Sequence, residues 1–264
     1  MTFELQACRF ELAAARVIQF PADAPGNILR GALGHALREV ASAEDYTRIF
    51  EPRASVAGPS GLADWPRPFA IRAAQLSGCT VQRGERFCFG VNLFDARNPA
   101  LDQITRAFAK WADLVSVEDS HVSVDLSAPS DRVSGVRVEF QTPTELKNGG
   151  SLDFAVLLSR IRDRISTLRA LYGAGPLDID FRGLAERARS VKTARCELRR
   201  VAIERRSSRT GQRHGIGGFT GFAEYEGGLA EFLPYLEAAH WTGVGRHCAW
   251  GNGQIHTGIL SSES

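Results

Sequence analysis

One succession of periodicities occurs twice along the chain, and this constrains the fold more tightly than any composition figure. Phe3–Leu12 reads as a strand. Pro25, Gly26 and Asn27 then introduce a helical stretch from Ile28 to Val40, where Leu29, Leu33, Ala36, Leu37 and Val40 share one face. A loop holding Pro52, Pro59, Gly61, Pro66 and Pro68 is too rich in proline for regular structure. Strand-like runs follow at Phe69–Leu76 and Arg86–Leu93, around a turn that contains Gly84. A helix from Pro99 to about Val115 and a short edge strand at His121–Leu126 complete the first unit.

After a break at Ser127–Asp131 the order repeats. Val136–Phe140 alternates as a strand, and Ser151 is placed to cap a long helix that Gly173 stops. In that helix Phe154, Leu158, Ile161, Ile165, Leu168 and Tyr172 follow one another in steps of four and three. Strands at Cys196–Ile203 and Gly218–Tyr225, a helix at Leu229–Ala239 and a strand after Gly253 end the unit. Two βαββαβ units predict an α+β protein of two tandem ferredoxin-like (RRM-like) domains, 1–130 and 131–264, the second with a glycine-rich loop. The halves share no close sequence repeat, so the duplication rests on element order alone.

Several function classes are disfavoured at once. No run approaches 18 apolar residues, so no membrane-spanning helix is expected. The start, MTFELQACRF, lacks a basic segment followed by an apolar one, which predicts no secretion signal and a cytoplasmic location. Five cysteines are too few for a disulfide scaffold. A three-residue turn at Gly84 would pair Val81 with Phe87 and Cys79 with Phe89, putting Cys88 on the other side, so free thiols are expected. CxxC and HExxH are absent, and His240 and His247 stand seven apart without carboxylate support, so neither a metal nor another cofactor is expected.

The whole-chain charge of +2 conceals an asymmetry. From Arg182 to Arg213 there are eleven Arg or Lys against three Glu, a net of +8 that leaves −6 for the rest. Such a concentration fits a docking polyanion, or else a solvated basic face. Within it, Arg205, Arg206, Arg209, Arg213 and His214 lie between two strands, on a hairpin tip able to grip such a polyanion.

The densest local signal is GVGRHCAWGNGQIHTG, with Gly243, Gly245, Gly251 and Gly253. Glycines this close let backbone approach a ligand and let its amides cradle phosphate, although a tight turn would need them equally. The spacing is neither GxGxxG nor a P-loop. Preceded by GFTGFAEYEGGLAEFLPYLEAAHWTGVG, this loop resembles the glycine-rich loop of the CRISPR-associated endoribonucleases that process precursor CRISPR RNA, within the RAMP superfamily. ILRGALGHALRE is similar to that family's first helix. PSGLADWPRPFAIR, CFGVNLF and FQTPTELKNGG…DFAVLLSRIRDR match it in order and spacing, so the resemblance runs from about Phe3 to Gly258.

The resemblance implies two ferredoxin-like domains holding one CRISPR repeat RNA. It also implies metal-independent cleavage by the 2′-hydroxyl, leaving a 2′,3′-cyclic phosphate and a 5′-hydroxyl. Implied partners are the repeat RNA, subunits of a CRISPR effector complex and a second copy as homodimer, without a membrane. A non-catalytic RNA-binding subunit of such a complex is the alternative.

His35 matches the first-helix histidine that many members use, and an ordinary imidazole pKa of about 6.5 suits proton transfer. At about 100° per residue it lies roughly 140° from the apolar face, with Gly31, Gly34 and Arg38 as helical neighbours. No tyrosine precedes it, so Tyr46 stands in for the one some members use. Lys110, Lys147 and Lys192 are the only lysines, which leaves Arg38, Arg30 or an arginine of the basic region for charge stabilisation. Expected RNA contacts are Arg30, the hairpin arginines, His214, Gly243, Gly245, Arg246, His247, Gly251 and Gly253.

Overall fold

The computed structural model describes residues 1–53, 65–146, 152–206 and 213–260. The first unit contains β1 (Thr2–Ala13), β2 (Ile18–Gln19), α1 (Gly26–Val40), α2 (Ala43–Phe50), β3 (Phe69–Arg72), β4 (Thr80–Val81), β5 (Arg86–Leu93), α3 (Leu101–Trp111) and β6 (Asp113–Asp125). The second contains β7 (Gly135–Thr144), α4 (Phe154–Tyr172), α5 (Phe181–Ala188), β8 (Lys192–Val201), β9 (Glu204–Arg206), β10 (Arg213–Gly215), β11 (Gly218–Glu226), α6 (Leu233–Thr242) and β12 (Ile255–Ile259). The main sheets run β3-β5-β1-β6 and β12-β7-β11-β8, with every pair antiparallel. In both, the unit's opening strand sits between its third and its last, which is the ferredoxin-like order. The fold is therefore a tandem ferredoxin-like α+β architecture. Among the described residues, no helix is long and apolar enough to cross a membrane.

β1 shows how the two units are joined. Its even positions Cys8, Phe10 and Leu12 are buried with α1 and α3, where the Phe10, Phe89 and Phe108 rings lie 4.8–5.5 Å apart. Its odd positions Phe3 and Leu5 point to the opposite face and join the second unit's core, with Val124, Phe94 and the α4 residues. Polar ties lock this junction. The Tyr172 hydroxyl donates to the Pro66 carbonyl at 2.6 Å, and Asn92 Nδ2 to the Trp241 carbonyl at 2.7 Å.

Several elements depart from the sequence expectation. The run Phe69–Leu76 is a strand only to Arg72, and Ala74–Leu76 is a turn of 3-10 helix. β4 does not form a hairpin with β5. It pairs with β2, Ile18 opposite Val81, because β1 and β3 already occupy both edges of β5. Cys79 is thus not opposite Phe89, although all five cysteines are free. The last edge strand starts at Asp113, so Val115 belongs to it and not to the preceding helix. α2 and α5 were not anticipated. Their caps were legible: Ser42 accepts from the Asp45 amide and Asp180 from the Gly183 amide. α4 starts from Asp153, and Ser151, like Pro59, Gly61 and Lys147, lies outside the described residues.

Candidate functional site

α1 crosses the first sheet beside α3, with Leu29, Leu33, Ala36 and Leu37 buried. The opposite side of α1 borders a cavity of about 690 Å³, whose lining includes Arg16, Asn27, Gly31, His35, Glu39 and Lys110. The His35 side chain is 84% exposed, so its imidazole is open to a ligand. One turn on, Glu39 Oε1 lies 3.4 Å from His35 Nε2, while the other carboxylate oxygen contacts the ammonium of Lys110 from α3. That contact with Lys110 is the main cause holding the Glu39 carboxyl below its ordinary pKa. The cavity thus gathers an accessible imidazole, a carboxylate and an ammonium. Sequence reasoning singled out His35. It counted Lys110 among three lysines without placing it, and it missed Glu39, whose i+4 spacing from His35 was the available signal.

Other expected site residues have different company. Arg38 Nε donates to the Tyr46 hydroxyl at 2.9 Å and its guanidinium lies 3.7 Å from Glu51, so this pair ties α1 to α2 and does not line the His35 cavity. Arg30 is buried, its guanidinium 3.8 Å from the Trp250 ring centre and 4.5 Å from that of Phe50. That stacking encloses it between two aromatic rings, whereas it was expected on a phosphate-binding surface. Gly34 serves packing, since a Cβ there would collide with the Phe50 ring, whereas Gly31 borders open space.

The glycine loop has φ values of 70°, 81°, 85° and 70° at Gly243, Gly245, Gly251 and Gly253. At Gly245 and Gly253 a Cβ would strike the carbonyls of Glu145 and Val244. Close approach is therefore needed, but to the protein's own backbone. Gly253→Ala is expected to lower stability by more than about 1 kcal/mol. A thermal melt with an unchanged midpoint would show that the loop needs no positive φ there.

Within the loop, His247 adopts φ 64°, and its Nε2 lies 3.5 Å from Glu145, the carboxylate partner that the sequence had not revealed. Burial pushes its pKa down, partly opposed by Glu145. Arg246, also paired with Glu145 at 2.9 Å, stays exposed. His240 is half-buried and donates from Nδ1 to the Ile255 carbonyl at 3.2 Å, away from this pair. Among the described residues no cluster of three or more ligating side chains could hold a metal.

β9 and β10 form a hairpin that sets Arg206 opposite Arg213 and Arg205 opposite His214, and Arg209 lies outside the described residues. The hairpin root is fixed to the glycine loop, because Asn252 Nδ2 donates to the Ile216 carbonyl at 2.7 Å. Elsewhere the basic region is partly neutralised: Arg182, Arg187, Arg195 and Arg199 pair with Glu186, Glu231, Glu197 and Asp23.

Residues 138–255 match the family model of the CRISPR-associated endoribonuclease Cas6, and residues 3–118 match a second model described as an N-terminal domain. No curated protein matches the sequence. Among solved structures, the chain is similar to a Thermus thermophilus Cas6, at 17% identity and a TM-score of 0.60, over 97% of this chain and 99% of that one. A Cas6 product complex matches at 18% identity and a TM-score of 0.58, over 96% and 99% of the two chains. A chain of a partial Cas6-RT-Cas1–Cas2 complex matches at 13% identity and a TM-score of 0.64, over 99% of this chain and 47% of that one.

Proposed function

We propose that this chain, of which residues 138–255 match the Cas6 family model, is a CRISPR-associated endoribonuclease that cleaves CRISPR repeat RNA without a metal. The ribose 2′-hydroxyl attacks the adjacent phosphate, the bond to the 5′-oxygen breaks, and the products carry a 2′,3′-cyclic phosphate and a 5′-hydroxyl. This chemistry needs a proton acceptor at the nucleophile, a donor at the leaving oxygen and positive charge beside the phosphorane. The observation that carries the reading is the open imidazole of His35 on a cavity shared with Lys110. His35 is the proton-transfer group. Lys110 supplies the positive charge that the sequence reading had sought from Arg38 or Arg30. Glu39 faces both and orients them.

RNA is held by charge outside this cavity. Arg205, Arg206, Arg209 and Arg213 take phosphates of the repeat, and Arg246 extends the contact from the exposed side of the glycine loop. The bond from Asn252 to Ile216 supports their action as one surface, because it fixes hairpin and loop to each other. A repeat RNA labelled at each end and incubated with the protein in EDTA tests the reaction. Expected fragments end in a cyclic phosphate upstream and a hydroxyl downstream. A 3′-hydroxyl on the upstream fragment, or cleavage only after a divalent cation is restored, would show that water or a metal hydroxide attacks instead.

A further inference from the structure

A second cavity, of about 630 Å³, lies between the segment at Trp65, the polar stripe of α4 and residues 245–250 of the loop. α4 buries Leu157, Leu158, Ile161, Ile165 and Leu168, and turns Arg160 and Arg164 to this cavity from its other side. Arg67 and Arg246 add two more guanidinium groups. The two carboxylates present, Glu145 and Asp163, are already paired with Arg246 at 2.9 Å and Arg162 at 2.7 Å. Four guanidinium groups thus stand against two carboxylates along the lining, which also includes Trp65.

Trp65 Nε1 is buried and has no hydrogen-bond partner among the described residues. A buried indole N–H is ordinarily paired, so a shift of the ring that brings it an acceptor from a bound ligand is favourable. The walls are held in place: the carbonyl of Pro66 takes the Tyr172 hydroxyl, Arg67 Nε donates to the Phe50 carbonyl at 2.7 Å, and Arg164 Nε to the Thr242 carbonyl at 3.0 Å. The volume is that of a pocket enclosing a whole small molecule, larger than a bare phosphate requires. An aromatic face interleaved with arginines is the combination that binds unpaired nucleotides, the base stacking and the phosphate meeting cations.

We infer that this cavity seats one unpaired nucleotide of the RNA, its base against Trp65 and its phosphate on the arginines of α4 and the loop. The inference takes its ligand class from the proposed RNA cleavage. It adds to that reading a contact to one base outside the His35 cavity.

The test is an abasic scan. Repeat RNAs lacking one base each are titrated against wild type, Trp65→Ala and Trp65→Phe, with cleavage followed in parallel. At one position, loss of the base should weaken binding to wild type by roughly 5- to 100-fold and to Trp65→Ala by less than about 2-fold. Trp65→Phe, which keeps a ring but loses the N–H, should fall between. Arg160→Gln gives an independent reading, with the slope of log affinity against log salt reduced by about 0.7. If every abasic position costs wild type and Trp65→Ala equally while wild type still cuts the intact repeat, the nucleotide seat is wrong and the cleavage reading stands. If wild type neither binds nor cuts the intact repeat, both fall.

Discussion

Replacing His35 by alanine is expected to slow cleavage by at least about 100-fold, the lower end of what a general acid–base group supplies. RNA affinity and thermal stability should hardly move. The side chain is 84% exposed and its ion-pair partner among the described residues is Glu39, at 3.4 Å on the helix surface, a kind of contact worth little to folding. Single-turnover cleavage at saturating protein isolates the chemical step, and a filter-binding titration under the same conditions measures affinity. A variant that retains more than about a hundredth of the wild-type rate would remove His35 from the centre of the mechanism. Loss of binding instead of rate would make it an RNA contact.

Neutralising Arg205, Arg206, Arg209 and Arg213 together to glutamine should weaken RNA binding strongly at low salt. Each lost phosphate contact removes about 0.7–0.9 from the slope of log affinity against log salt, so four contacts remove about 3. The effect is concentrated there for a structural reason. Arg182, Arg187, Arg195 and Arg199, in the same basic region, already have carboxylate partners. The backbone of the hairpin sets Arg206 opposite Arg213 and Arg205 opposite His214. Stability should change little, because charges at a hairpin end add little to folding. Titrations at several salt concentrations, with a melt of each protein, check both statements. An unchanged slope would mean that the tip does not touch phosphate and that the basic region is a solvated face or a protein-binding surface.

Periodicity made much of this molecule readable. Leu29, Leu33, Ala36 and Leu37 fall on the buried side of α1, and all six apolar positions read along α4 are buried. Local spacing also showed that His35 stands off the apolar face, and the charge count located the hairpin. These features depend on interactions within a few residues, so the order of side chains suffices to reveal them.

Contacts between distant segments were not legible. Lys110 reaches Glu39 from α3, 71 positions along the chain. Glu145 meets both Arg246 and His247 across a comparable gap. Arg30 resembled a surface cation until Trp250 and Phe50 closed over it. The same limit left the glycine loop open between a ligand cradle and a tight turn, and Gly245 and Gly253 leave room for the protein's own carbonyls. It also hid the use of both faces of β1, because an alternating strand does not say what lies on its second side. The sequence by itself determined the βαββαβ order, the faces of the main helices, the free position of His35 and the basic hairpin, since each arises from local geometry or charge. Tertiary structure alone decided which charges pair, which cations are enclosed and what shares a cavity with His35, because such partners meet only once both sheets have packed.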